Sequence, residues 1–359
     1  MSGQGARIEY IDISKRYGAV EALRPTSLTI EAGEFFSIIG PSGSGKTTLL
    51  GVTAGYVPPT SGQIVIDGRN VVGEPPFQRN IGMVFQNYAL FPHMTVAQNI
   101  GFPLRMRKTP RAEIAERVKK MLKLVQLEEM AQRKPGQLSG GQQQRIALAR
   151  AAVYDPLMLL MDEPLSALDK NLREAMQDEV KQFQTVLGST VLYVTHDQAE
   201  AAAMSDRIAI MNHGRIVQIG SPRDLYEHPV ARFVASFLGE ANIFDIESVS
   251  PHAGGSLIAT RHGFSLVCAA TQGHEGHCVC VRPEAVALTS SRPEHDNVLQ
   301  GRVVDATYTA GSLRYRVELA PDCIITQRTP SVRGIEMFDI GATVFASWRA
   351  EDTLLVDDD

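Results

Sequence analysis

Apolar positions change their spacing three times along the chain. Before residue 40 they come in short runs: "RIEYIDI" alternates, "SLTIEAGE" ends in a turn, and "FFSIIG" runs straight into a glycine-rich loop. These runs read as strands, with a helix starting at Thr48. "GQIVIDG" is a further strand closed by the hairpin signal Asp67-Gly68. From about Asn87 the period becomes helical. In "RAEIAERVKKMLKLVQL", Ile114, Val118, Met121, Leu122 and Val125 share one face and the charges lie opposite. A helical subdomain over residues 87–150 is expected, inserted between two strand-rich parts.

Strands return with "LMLLMDEP" (157–164) and "TVLYVTHD" (190–197), each bounded by helical stretches. Short apolar strands of this kind suit a parallel sheet covered on both faces. "RIAIMNHGRIVQIG" reads as a hairpin about Asn212-His213-Gly214. After Gly239 the long helical patterns vanish, and short strands such as "GRVVDATY", "LRYRVEL" and "ATVFASW" alternate with turns. The fold class is therefore α/β over residues 1–239, joined to an all-β barrel domain over 240–359.

A length of 359 residues agrees with two domains. Hydrophobic residues make up 44% and charged residues 21%, ordinary globular proportions. The net charge of −5 gives no global reason to expect nucleic-acid binding, which usually needs a basic face. No apolar run reaches the ~18–20 residues of a membrane span, and "MSGQGARIEY" has no apolar signal-peptide core. A cytosolic protein is expected. Its cysteines, Cys268, Cys278, Cys280 and Cys323, are then thiols. "HEGHCVC" brings His274, His277, Cys278 and Cys280 together, but C-x-C lacks the spacing of common zinc sites. The stretch reads as a strand with both cysteines on one buried face.

"GPSGSGKTT" (Gly40, Pro41, Ser42, Gly43, Ser44, Gly45, Lys46, Thr47, Thr48) satisfies G-x-x-x-x-G-K-[ST] between a strand and a helix. Its glycines let backbone N–H groups wrap phosphates, Lys46 can reach the β and γ phosphates, and Thr47 can hold Mg²⁺. "LMLLMDEP" delivers Asp162, for Mg²⁺, and Glu163, as the base that polarises the attacking water, to the ligand edge of the sheet. His196 and Gln86 end strands at that same edge: His196 suits the γ-phosphate and the water, Gln86 the Mg²⁺ or the water. "LSGGQ" (138–142) is a second anion-binding helix start, in which Ser139, Gly140 and Gly141 offer a hydroxyl, N–H donors and the positive dipole end. Taken singly, the same residues make an ordinary N-cap.

Together these motifs resemble the ATP-binding cassette family over residues 7–235. "LSGGQ", with Gln142, matches its signature sequence, "GPSGSGKT" and "LMLLMDEP" its two Walker motifs, Gln86 its Q-loop, "SALD" with Asp169 its D-loop, and His196 its switch histidine. Tyr17 falls where the family stacks an aromatic residue on adenine. The resemblance implies a P-loop NTPase with a RecA-like core and an antiparallel β subdomain, and ATP and Mg²⁺ as cofactors. It also explains two phosphate cradles on one chain. The signature of one subunit covers the ATP on the glycine loop of the other, so the chain would form a head-to-tail homodimer with two composite sites.

The C-terminal stretches "VCVRPEAVAL" and "GRVVDATYTAGSLRYRVEL" resemble the OB-type TOBE domain on ATPases of bacterial importers, with "FLGEANIF" as the linker. The resemblance runs closest to the spermidine/putrescine or ferric-iron branch, with sulfate, thiamine and sugar importers as alternatives. It implies an ATPase peripheral to the cytoplasmic side of the inner membrane. Its partners would be integral permease subunits and, indirectly, a solute-binding protein. "QNYALFPHMTVAQNI" would receive a short permease helix, although Leu90, Phe91 and Met94 equally suit a core. A soluble cassette ATPase is the rival from another class. The two cassettes or long coiled-coil insertion common there are missing from this chain.

Overall fold

The computed structural model describes residues 5–252, 254–269, 276–309, 311–332 and 335–358. The chain divides into two compact units, up to Arg223 and from Asp224 onward. In chain order the first unit begins β1 (Ile8–Tyr17), β2 (Val20–Ile30), β3 (Phe35–Ile39), α1 (Lys46–Ala54), β4 (Ser61–Ile66), β5 (Arg69–Asn70) and β6 (Ile81–Val84). The helical part follows as α2 (Val96–Met106), α3 (Arg111–Leu124) and α4 (Gly140–Ala152). The unit continues with β7 (Met158–Asp162), α5 (Lys170–Leu187), β8 (Thr190–Val194), α6 (Gln198–Met204), β9 (Arg207–Asn212) and β10 (Arg215–Gly220).

The site is organised by a six-stranded sheet in the order β10-β9-β3-β8-β7-β6, parallel except for the β9–β10 hairpin. Its inner strands β3, β7 and β8 are buried almost throughout because both faces are covered. Leu159, Met161, Val191 and Tyr193 pack into the core beneath the helices, while Met158, Leu160, Leu192 and Val194 pack into a second core with α1 and the β1–β4 sheet. Alternation along β7 and β8 thus feeds two cores at once. That second sheet is antiparallel, in the order β2-β1-β4-β5. The hairpins expected at Asp67-Gly68 and at residues 212–214 are both present. Helix α1 starts at Lys46, two residues before the expected Thr48, because the glycine loop itself supplies the N-terminal turn.

The second unit takes in α8 (Arg232–Phe237) and most of α7 (Pro222–Glu227), so the division falls before residue 239, where the change in texture put it. The helices belong there because buried Arg282 donates to the carbonyls of Tyr226 and Ala235. The rest is antiparallel β structure. One sheet is formed by β11 (Asn242–His252), β12 (Gly255–Thr260), β13 (Ser265–Cys268), β14 (Cys278–Val281) and β20 (Leu354–Val356). The other is formed by β15 (Ala287–Thr289), β16 (Asn297–Thr309), β17 (Ser312–Ala320), β18 (Cys323–Pro330) and β19 (Thr343–Trp348). The expected barrel takes the form of these two five-stranded sheets around a core containing Phe244, Tyr315 and Trp348. Cys278 and Cys280 share one buried face of β14, against Ala235 and Val356, while Val279 and Val281 face the main core. His277 is exposed, His274 lies outside the described residues, and no metal-ligating cluster occurs among the described residues.

Candidate functional site

Parallel strands that point the same way bring their C-terminal ends to one edge of the sheet. At this edge β3 releases the loop 40–45, β7 ends in Asp162 and Glu163, β8 leads to His196, and β6 leads to Gln86. The four motif segments, far apart in sequence, are therefore neighbours in the sheet order.

The loop is an anion cradle by construction. Gly40, Gly43 and Gly45 have positive φ of 156°, 80° and 104°. A Cβ on Gly40 would lie 2.2 Å from the Met211 carbonyl oxygen, and one on Gly45 would lie 2.6 Å from that of Ala22. Only glycine fits these positions. Gly45 is the N-cap of α1 and offers no side-chain acceptor, so the first N–H groups of that helix have no side-chain cap. The Ser44 hydroxyl is buried without a partner. The Lys46 ammonium donates to the carbonyls of Gly40 (2.8 Å) and Pro41 (2.9 Å), a closed arrangement from which it can swing onto phosphate oxygens. Burial pulls its pKa below the ordinary value, opposed by the charges of Glu163 and Asp162. Thr47 is exposed beside it and Thr48 is half-buried.

Asp162 is half-buried, and burial together with the Glu163 charge pushes its carboxyl above 3.8, opposed by Lys46. A carboxylate strained in this way favours a cation, so the donor set of Thr47, Asp162 and Gln86 fits Mg²⁺. Glu163 sits at φ 45°, in the left-handed region, with its N–H fixed to the Val194 carbonyl at 2.8 Å. Its Oε1 is 3.1 Å from His196 Nδ1, and its Oε2 accepts from Gln86 Nε2 at 3.3 Å. Gln86 Nε2 also reaches the Ser166 hydroxyl at 3.2 Å, and that hydroxyl donates to the Glu163 carbonyl at 2.8 Å. Sequence reading gave Ser166 no role. Its signal was its position in "SALD", three residues after Glu163.

The other predicted residues lie apart from this cluster. Ser139 caps α4: its hydroxyl accepts the Gln142 N–H and the Gln142 side chain accepts the Ser139 N–H, while Gly140 is exposed and Gly141 buried. Among the described residues no hydrogen bond joins residues 139–142 to the loop 40–47. Asp169 caps α5 through the Leu172 N–H. Tyr17 is half exposed at the β1–β2 turn, with the Lys15 ammonium 4.8 Å from its ring centre. Its ring is open to stacking.

The docking stretch 86–100 contributes Ala89 and Phe91 to an apolar groove whose other lining residues sequence reading did not name. Tyr56, Phe77, Phe85, Phe102, Met106 and Tyr154 line it, and Phe77 is 74% exposed. Of the proposed docking stretch, Leu90, Phe91 and Met94 are partly buried; Phe91 faces the groove and packs on Phe102 with ring centres 4.5 Å apart and ring planes tilted by 49°.

The family model described as ABC transporter matches residues 23–166, and the TOBE domain model matches residues 279–356. A spermidine/putrescine import ATP-binding protein PotA from Thermobifida fusca is 44% identical over 97% of this chain and 92% of its own length. The PotA protein of Chromobacterium violaceum is 43% identical over 96% of this chain and 97% of its own length. A solved dimeric ATP-binding cassette, MJ0796, in a post-hydrolysis state with ADP and Pi, is 35% identical with a TM-score of 0.53. It covers 60% of this chain and 99% of its own length. The chain belongs to the ABC transporter family, as an ATP-hydrolysing subunit that carries a TOBE domain.

Proposed function

We propose that this chain drives uptake of a polyamine, spermidine or putrescine, through a separate membrane permease. It binds ATP, pairs head to tail with a second copy and hydrolyses the nucleotide. The observation that carries the chemistry is the Glu163 carboxylate, held by His196 on one oxygen and Gln86 on the other. The solute rests on the names of the PotA relatives. The first unit acts as the nucleotide-binding domain and the β-rich second unit as the regulatory domain.

Loop N–H groups and Lys46 bind the phosphates, and Tyr17 stacks on the base. Thr47, Asp162 and Gln86 would hold Mg²⁺, which would supply positive charge against the phosphate oxygens. Glu163 takes a proton from water as its oxygen attacks the γ-phosphorus, and the bond from that phosphorus to the bridging oxygen of ADP breaks. His196, whose side chain is 62% exposed, orients Glu163 and reaches the γ-phosphate. Ser139, Gly140, Gly141, Gln142 and Asp169 act across the dimer on the partner's ATP.

No helix among the described residues is long and apolar enough to cross a membrane. The apolar groove offers a seat for a permease helix. On this reading the protein works at the cytoplasmic face of the inner membrane, linked through the permease to a solute-binding protein. The test is uptake of labelled putrescine, spermidine, ferric iron, sulfate, thiamine and maltose in cells lacking the gene, restored with wild type or Glu163→Gln. Polyamine uptake that only wild type restores supports the reading. Restoration of another solute refutes the substrate, and a response to none of them counts against import.

A further inference from the structure

Just beyond Gln86, two consecutive residues adopt left-handed backbone that neither side chain favours: Tyr88 at φ 60° and Ala89 at φ 46°. Backbone of this kind persists only where its surroundings impose it. Here the guanidinium of Arg150 imposes it. Nη1 donates to the Ala89 carbonyl and Nη2 to the Tyr88 carbonyl, both at 2.7 Å. The guanidinium lies 5.6 Å from the Phe91 ring centre, and Arg150 is 8% exposed. A rigid fork with two donors fits two successive carbonyls; a lysine ammonium is a single point.

Arg150 lies in the last turn of α4, whose first turn carries Gly140–Gln142. Asn99 of α2 fastens the next stretch. Its Oδ1 accepts the Phe91 N–H at 2.8 Å, and its Nδ2 donates to the carbonyls of Phe91 and Thr95 at 3.1 Å. The chain from Tyr88 onward is thus bonded to helices. Gln86, in contrast, follows β6, which pairs with β7 in the central sheet. Only Asn87 separates a residue that touches Glu163 from the turn that Arg150 grips.

We propose that Arg150 is a positioning residue for hydrolysis. By holding the Tyr88–Ala89 turn, it ties the placement of Gln86 beside Glu163 to the position of the signature helix and of the groove that Arg150 itself lines. The inference rests on Glu163 as the base. A residue acting only in folding would stabilise the first unit as a whole. A positioning residue sets the geometry at one carboxylate, and small displacements there cost rate more than binding.

The test uses the full chain as wild type, Arg150→Lys, Arg150→Lys with Ala89→Gly, and Glu163→Gln. Steady-state ATP hydrolysis is read beside amide hydrogen exchange. Arg150→Lys keeps the charge and lowers kcat about tenfold or more, with KM for ATP within about twofold. Exchange rises over residues 87–92 and stays at the wild-type level in β3 and β7. Adding Ala89→Gly recovers about half of the lost kcat, because glycine takes left-handed backbone freely. Wild-type kcat in Arg150→Lys, a loss carried mainly by KM, exchange raised throughout the first unit, or no recovery with Ala89→Gly overturns the proposal. Glu163→Gln separates the two levels. If that variant turns over at close to the wild-type rate, the base assignment fails. If it is inactive while Arg150→Lys matches wild type, only the role of Arg150 fails.

Discussion

His196 Nδ1, beyond β8, stands 3.1 Å from Glu163 Oε1, while Gln86, beyond β6 on the other side of β7, holds the other carboxylate oxygen at 3.3 Å. Glu163→Gln preserves the outline of the side chain and removes its basicity. It is expected to lower kcat by about 10²–10⁴-fold with little change in KM for ATP. His196→Ala frees one oxygen and lowers kcat in the same direction by a smaller factor. Phosphate release at saturating ATP reads both.

Asp162 sits under electrostatic strain before any cation arrives. Its carboxyl is raised above the ordinary 3.8, first by burial and then by Glu163. The sign follows by linkage: stability present below 3.8 is lost as pH rises through the raised pKa. Asp162→Asn is spared that loss. Near neutral pH its nucleotide-free Tm should exceed that of wild type. The difference closes in acid below the ordinary carboxylate value. With Mg²⁺ and ATP the order reverses, because wild type gains the cation and the variant does not. Thermal melts across pH, with and without nucleotide, check all three statements.

The helix that carries Lys46 at its N-terminus is anchored at its other end by a buried arginine. Arg79, 2% exposed, donates through Nη1 to the carbonyls of Val52 and Thr53 (both 2.8 Å) and through Nε to that of Glu74 (2.9 Å). Arg79→Met keeps the length of the side chain and leaves those carbonyls without their donor. A loss of about 1–3 kcal/mol is expected. The denaturant midpoint, read at constant m-value, measures it.

Phe77 is exposed in the groove and contributes little to folding. Phe77→Asp should abolish uptake and co-purification with the permease while nucleotide binding survives. Affinity purification from cells that make the intact transporter checks this. Full uptake by the variant would move the docking surface elsewhere.

The motifs were legible because their chemistry demands particular residue types at short spacing: glycines where a Cβ has no room, acids at the end of an apolar strand. The parallel sheet was legible from β7 and β8, whose unbroken apolar runs need cover on both faces. What stayed hidden depends on pairing across long sequence distances. Arg79 and Arg150 bind backbone carbonyls, and a carbonyl has no sequence signature. The groove gathers Tyr56, Phe77, Phe102 and Tyr154 from segments that share no pattern. Helices α7 and α8 follow the first unit in sequence, but Arg282 holds their backbone in the second. The Ser139 motif was legible in both its senses, and the single chain realises the capping one.

The central claim is that one chain provides two halves of two different ATP sites. The most direct measurement is sedimentation velocity of Glu163→Gln with and without saturating ATP, repeated with Ser139→Arg added. The account predicts monomers without ATP, dimers with it, and monomers again once Ser139→Arg blocks the signature. Monomers in saturating ATP, or dimers indifferent to Ser139→Arg, would contradict it.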